Sequence, residues 1–245
     1  MSDNIKPTPD GLLKWAIQNS QEGSKIDQSK LMSHEEFKEF WEKAFPDEVQ
    51  ALKENLQKLQ ERHGTTEELY YSLDRVLFIV EGIDQADWFA DLNGFEVLLP
   101  YLTDGNSESR MASAWIYSNA IQNNPKVQQK FMDKIGMNRV LLTIPEESNE
   151  KAATRKFGLL SSAIRGFKPL RIQFYESNGI KVLLSMCEKF PSLYFRLTWL
   201  IGAILDEEDP EDKRVFNQFQ LKELLKSKKS HIDDEELLHN VISRI

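Results

Sequence analysis

Phe89, Phe131, Phe174 and Phe216 stand 42, 43 and 42 residues apart in this 245-residue chain. Self-similarity at that period is the mark of a helical-repeat array, in which each unit buries its apolar face only against its neighbours. Gly94, Gly136 and Gly179 follow the first three phenylalanines by five residues, and each precedes an apolar pair: Leu98-Leu99, Val140-Leu141 and Leu183-Leu184. Prolines recur in two phases, Pro125, Pro169 and Pro210 before the phenylalanines, and Pro100, Pro145 and Pro191 after the glycines. A ring without an N–H can open or close a helix but not occupy its interior, so these prolines mark joints.

A period of 42–43 residues is that of the paired or tripled helices of armadillo and HEAT proteins. The fold class expected is all-α, a right-handed armadillo-repeat solenoid of about four repeats with helical caps and a flexible N-terminal tail. Residues 1–32 hold only Leu12, Leu13, Trp15 and Ile17 as an apolar cluster, too little to offset chain ordering. Ser33 with Glu36 makes a capping box for a helix carrying Phe37, Phe40, Trp41 and Ala44 on one face, which Pro46 breaks. Val49, Leu52, Leu56 and Leu59 continue in a second helix that His63-Gly64 ends, so 33–64 reads as a helical cap. Thr65 with Glu68 opens a long helix expected to run to about Asp84, and repeats fill 65–230, their long helices 16 to 18 residues each. In 231–245, Leu237, Leu238, Val241 and Ile242 share a face, which suits a C-terminal capping helix.

The net charge of −8 argues against nucleic acid or an anionic membrane as a general partner. Between Lys151 and Tyr175, however, six basic residues occur and no acidic one, so any basic surface is local to the third unit. One cysteine, Cys187, cannot form an internal disulfide, and the four histidines show no metal-ligand spacing; no metal or cofactor is expected. Neither a signal-peptide core nor a span of about 20 apolar residues is present, which predicts a soluble cytoplasmic protein and leaves nuclear entry open. Ser161-Ser162 and Glu146-Glu147 lack the neighbours that activate nucleophiles, and there is no Gly-rich phosphate loop. The chain does not read as an enzyme and implies no small-molecule substrate.

On the long helices, Trp115 and Asn119 are four apart and share a face, as in the armadillo pattern of Trp and Asn on the concave-lining helix. Steps of four and three through the third unit give Lys151, Arg155, Gly158, Ser162 and Arg165 as a stripe. In the fourth they give Ser192, Arg196, Trp199, Ala203 and Asp206, and in the first Tyr70, Asp74, Leu77, Glu81 and Asp84. The expected groove thus runs from acidic through aromatic to basic. Arg155, Arg165 and Arg196 are expected to be exposed, while core and groove both stand open for Trp115 and Trp199.

Leu12-Leu13-Lys14-Trp15-Ala16-Ile17-Gln18-Asn19-Ser20 and the run from Glu81 through Phe89 to Gly94 resemble the armadillo-type nucleotide exchange factors of seventy-kilodalton heat-shock chaperones, the Fes family. The chain departs from it by some ten residues before Leu12 and by Glu81-Gly82 where relatives often have Glu-Asn. The resemblance implies the family's cytosolic branch, with a concave surface that embraces one lobe of the chaperone's ATPase domain and opens its cleft so that ADP leaves. It implies chaperone contact at Glu81, Asp84, Trp115, Asn119, Lys151, Arg155, Ser162, Arg165, Arg196 and Trp199. It also implies a client-mimicking role for Leu12, Leu13, Trp15 and Ile17, for which docking of the same cluster on the body is the rival. The alternative function is a general armadillo adaptor holding an extended basic peptide along Trp115, Asn119 and Trp199. The basic stripe disfavours it, since like charges repel across a groove.

Overall fold

The computed structural model describes residues 47–245, all helical or connecting structure with no strand among them. The expectations for Ser33 to Pro46 and for Leu12, Leu13, Trp15 and Ile17 lie outside the described residues. The chain divides into two compact units, 1–54 and 55–245. In the first, the Asp47 carboxylate accepts hydrogen bonds from the backbone N–H groups of Val49 and Gln50 at 2.9 and 3.3 Å, which opens α1 (Glu48–Glu61).

The second unit repeats a pattern of a long helix, a helix of nine or ten residues and a third of variable length. The first set is α2 (Thr66–Ile79), α3 (Ile83–Asp91) and α4 (Gly94–Leu98), extended by a 3-10 turn at Leu99–Thr103. Next come α5 (Ser107–Ile121), α6 (Pro125–Lys134) and α7 (Gly136–Leu141). Then follow α8 (Glu150–Ile164), α9 (Lys168–Glu176) and α10 (Gly179–Lys189). The last are α11 (Leu193–Leu205), α12 (Pro210–Gln218), α13 (Leu221–Ser227) and a closing α14 (Glu235–Arg244).

The repeated prolines and glycines act at the two joints of each set. After α5, α8 and α11 the chain turns through a left-handed residue, Asn123, Gly166 and Glu208, with φ of 54°, 67° and 57°. Pro125, Pro169 and Pro210 then sit in the first turn of the next helix, where no N–H is missed. At the second joint a Cβ on Gly94 or Gly179 would lie 2.2 Å from the ring of Phe89 or Phe174. The five-residue Phe-to-Gly interval is therefore a packing demand: the ring occupies the space of a side chain. Gly136 answers a different need, adopting φ +71° itself, whereas Asn93 and Asn178 supply the left-handed residue before the other two glycines. Phe89 and Phe131 then meet around Phe95, with ring centroids 5.0 and 5.3 Å from it, and Tyr117 closes the cluster at 5.1 Å.

The capping box of Thr65 and Glu68 is present, but α2 stops at Ile79 rather than about Asp84. Glu81 and Gly82 form a turn, and Gly82, extended at φ −83° and ψ 145°, becomes the N-cap of α3. The long helices have 14, 15, 15 and 13 residues, shorter than the 16 to 18 expected, because left-handed joints or this turn stop them. At the C-terminal end α14 buries Leu238 and Val241. Gly202 on α11 leaves room for it: a Cβ there would be 3.1 Å from Val241 Cγ2.

Candidate protein-binding groove

The strongest candidate site lies along α5, α8 and α11. α8 packs closely along α5, where the hydroxyls of Ser118 and Ser162 are 2.9 Å apart. Backbone approach is much less extensive between α8 and α11. Both ends of α8 are fixed. Asn149 Oδ1 accepts from the Ala152 N–H at 3.0 Å, and the buried Gln128 of α6 donates to the carbonyls of Ser162 and Arg165 at 3.0 and 3.3 Å. Arg171 donates to the Ile164 carbonyl at 3.2 Å. Helix-end carbonyls without intrahelical partners are thereby satisfied from α6 and α9.

On this frame the Arg155 guanidinium lies 3.6 Å over the Trp115 ring, and that of Arg165 lies 4.7 Å over Trp199. Trp115 is 37% exposed and Trp199 45%, so each offers a face or edge to a partner. Two adjoining grooves result. Trp115, Asn119, Lys151, Arg155 and Arg196 line one; Phe157, Ser161, Arg165, Phe195 and Trp199 line the other, and Gly158 and Arg196 border both.

Lys151, Arg155, Arg165 and Arg196 make no ion pair among the described residues. Some cations elsewhere are paired, with Lys130 Nζ 2.5 and 2.6 Å from Asp87 and Asp91 and Lys126 2.6 Å from Asp87, while exposed ones such as Arg139, Lys181 and Lys213 are likewise without an ion pair among the described residues. Burial lowers the Arg155 pKa, and the nearby charge of Arg196 lowers it further. Burial also lowers that of Arg165, against the pull of Glu207, and the Arg165 Nε has no hydrogen-bond partner. These guanidiniums are partly dry and form no ion pair among the described residues.

The sequence-predicted residues divide accordingly. Trp115, Asn119, Lys151, Arg155, Arg165, Arg196 and Trp199 converge on the two grooves. Glu81 and Asp84 are exposed, but in the turn and the first helical turn beyond α2, so the walk that joined them to Tyr70 and Asp74 breaks at Val80. Arg155 and Arg165 are half-buried rather than exposed, because their guanidiniums lie over indole rings. Ser162 is 5% exposed and its hydroxyl is engaged by Ser118. Sequence reasoning missed Phe195, which is 41% exposed. Its spacing of four from Trp199 was the available signal, since residues four apart share a helix face.

Other buried polar groups belong to the framework. Arg110 donates to both Glu147 oxygens at 2.8 Å, and Lys156 lies 2.9 Å from the same carboxylate. Burial alone would raise the Glu147 pKa, but bonds from Arg110, Lys156 and the Asn149 N–H bring it down to about 2. Arg171 joins Asp212 and Glu207 at 2.9 and 2.6 Å. Cys187 is buried, and burial pushes its thiol up to about 12, so it is not a nucleophile at neutral pH. No described helix is long and apolar enough to cross a membrane.

Residues 85–235 match the family model of the SIL1/FES1/HPBP1 C-terminal domain, and residues 10–88 match that of nucleotide exchange factor Fes1. The chain is 29% identical over 244 residues to the Hsp70 nucleotide exchange factor FES1 of Scheffersomyces stipitis, covering 96% of this chain and 85% of that one. Its similarity to the protein of the same name from Saccharomyces cerevisiae is 26% over 242 residues, covering 96% and 82%. With that from Yarrowia lipolytica it is 24% over 227 residues, covering 88% and 78%.

Proposed function

This chain belongs to the SIL1/FES1/HPBP1 family, and from that premise we propose that it is an Hsp70 nucleotide exchange factor, a co-chaperone that binds the chaperone's ATPase domain and promotes ADP release. The observation that carries the reading is similarity to exchange factors along nearly the whole chain, 96% of it for the Scheffersomyces stipitis relative. The four unpaired cations and two half-exposed tryptophans of the groove support it, since they suit an acidic protein surface better than the basic peptide of a general adaptor.

No bond need be made or broken by this chain. Exchange requires that it hold the open, nucleotide-free arrangement of the ATPase lobes more tightly than the closed, ADP-holding one, because a partner indifferent to both shifts nothing. ADP must in turn weaken its grip by the same factor. The long helices are read as the concave lining of a right-handed armadillo solenoid of about four repeats, 65–230, between caps at 33–64 and 231–245. The segment 1–32, with Leu12, Leu13, Trp15 and Ile17, is read as a client mimic that hastens client release, in the cytoplasm.

The test is the loss of a fluorescent ADP analogue from an Hsp70 ATPase domain after adding excess unlabelled ATP. Acceleration that saturates with this protein's concentration is expected. An unchanged rate at saturating concentration rules the reading out.

A further inference from the structure

Gly158 has no need to be glycine for the fold. It lies inside α8, where glycine weakens a helix relative to alanine, and a Cβ there would meet nothing nearer than Ser118 Oγ at 3.9 Å, an ordinary contact. Gly202, the other glycine inside a long helix, is crowded by Val241, whose Cγ2 would lie 3.1 Å from a Cβ there, and Gly94 and Gly179 are required by phenylalanine rings. What the missing side chain of Gly158 provides is a low saddle between the two grooves, both of which it lines. Glycine inside an element, with open space above it, allows another backbone to approach closely.

The surroundings define what approaches. On one side stand Trp115 and Arg155, on the other Phe195, Trp199 and Arg165, with Arg196 bordering both. Half-exposed aromatic rings rimmed by charge have the make-up of an interface anchor pocket, in which a few buried aromatic and arginine contacts dominate affinity. The rim has only one sign. Partly dry, unpaired guanidiniums gain most from a carboxylate, which pairs with them bidentately, and a basic occupant would be repelled.

We propose that an acidic segment of the chaperone's ATPase domain crosses α8 at Gly158, seating an apolar side chain between Phe195 and Trp199 and carboxylates on Arg155 and Arg196. The assignment rests on the nucleotide-exchange reading and adds the crossing point, the anchor pocket and the chemistry of the partner segment.

The experiment uses the full chain and its variants Gly158→Ala, Gly158→Leu, Phe195→Ser and Arg196→Gln, titrated against an ADP-loaded Hsp70 ATPase domain at several salt concentrations. Thermal midpoints are recorded in parallel. Gly158→Ala should raise the midpoint by about 2–4 °C while weakening binding a few-fold. Gly158→Leu should weaken binding by more than about tenfold with the helical signal intact. Phe195→Ser, at an exposed position, should weaken binding by about tenfold and leave the salt dependence unchanged, while Arg196→Gln should flatten it. Binding by Gly158→Leu and Phe195→Ser within about twofold of the parent overturns the crossing and leaves the exchange reading standing. Should Gly158→Leu fail to fold, Phe195→Ser alone decides in the same way. A parent chain that neither binds nor speeds ADP release overturns the exchange reading, and the crossing with it.

Discussion

Glu147 shows how one side chain ties this architecture together. Its carboxylate, 1% exposed, is the shared acceptor of Arg110 on α5 and Lys156 on α8. Because its folded pKa of about 2 lies below the ordinary 4.5, the stabilisation is complete above pH 4.5 and is lost as pH falls toward 2. The loss should be on the order of 3 kcal/mol, read as a drop in the denaturant midpoint between those pH values. Glu147→Gln should cost about 3 kcal/mol at neutral pH by taking the counter-ion from buried Lys156 and part-buried Arg110, and should flatten the acid profile. The glycines give a second residue-scale contrast. Gly94→Ala or Gly179→Ala pushes against a fixed ring and should destabilise by about 1–3 kcal/mol, while Gly158→Ala should stabilise; thermal melts decide the sign. The Phe-to-Gly interval was legible in the sequence as a repeat but not as a ring over a missing side chain. Equal spacing concealed different causes, a steric one at Gly94 and Gly179 and a backbone one at Gly136. Glu147 was legible only as half of an adjacent acidic pair, because its partners sit 37 residues upstream and nine downstream.

At the scale of elements, α8 depends on its neighbours for its C-terminal end. Gln128 spans from α6 to the carbonyls of Ser162 and Arg165 and is itself 1% exposed. Gln128→Leu removes the donor, leaves those carbonyls buried without it, and should cost about 1–3 kcal/mol. Hydrogen exchange should show the opening confined first to the last turn of α8. Loss of protection spread evenly over α5, α8 and α11 would contradict this local role. Capping residues made helix starts readable, as at Thr65, whose hydroxyl and Glu68 act locally. Helix ends were harder. Ile79, Val80 and Ile83 continue an apolar pattern across a break made by the Glu81-Gly82 turn, and Glu208 shows that a left-handed joint need not be glycine or asparagine. Groove membership was legible for Trp115, Asn119 and Arg196 from helical spacing. Spacing does not reveal that Arg155 and Arg165 lie on indoles contributed by helices far along the chain.

At the scale of the whole molecule, the unpaired cations act together within a chain whose net charge is −8, so association with an acidic partner should weaken as salt rises. Arg155→Glu with Arg196→Glu is the suitable reversal. Arg165 is less suitable, since its Nε is buried without a partner, so a glutamate there risks stability as well as binding. The double variant should keep its helical circular dichroism and lose ADP-release activity by more than about tenfold at low salt. Undiminished ADP release would reduce the cations to solvated surface. The client mimicry proposed for the segment 1–32 concerns a separable step. If Leu12, Leu13, Trp15 and Ile17 occupy the peptide site of a chaperone, deleting 1–32 leaves ADP release from an isolated ATPase domain nearly unchanged, because that domain has no peptide site to occupy. With full-length chaperone carrying a labelled client, the same deletion should slow client release, and Leu12→Ala, Leu13→Ala and Trp15→Ala together should reproduce it. A short apolar cluster among polar residues can instead pack on its own chain, and the two fates leave different traces. Packing predicts a lower thermal midpoint for both variants with client release proportional to the remaining folded protein; mimicry predicts unchanged midpoints and slower release. Equal release rates for parent and variants would remove the client-mimic role and leave exchange intact.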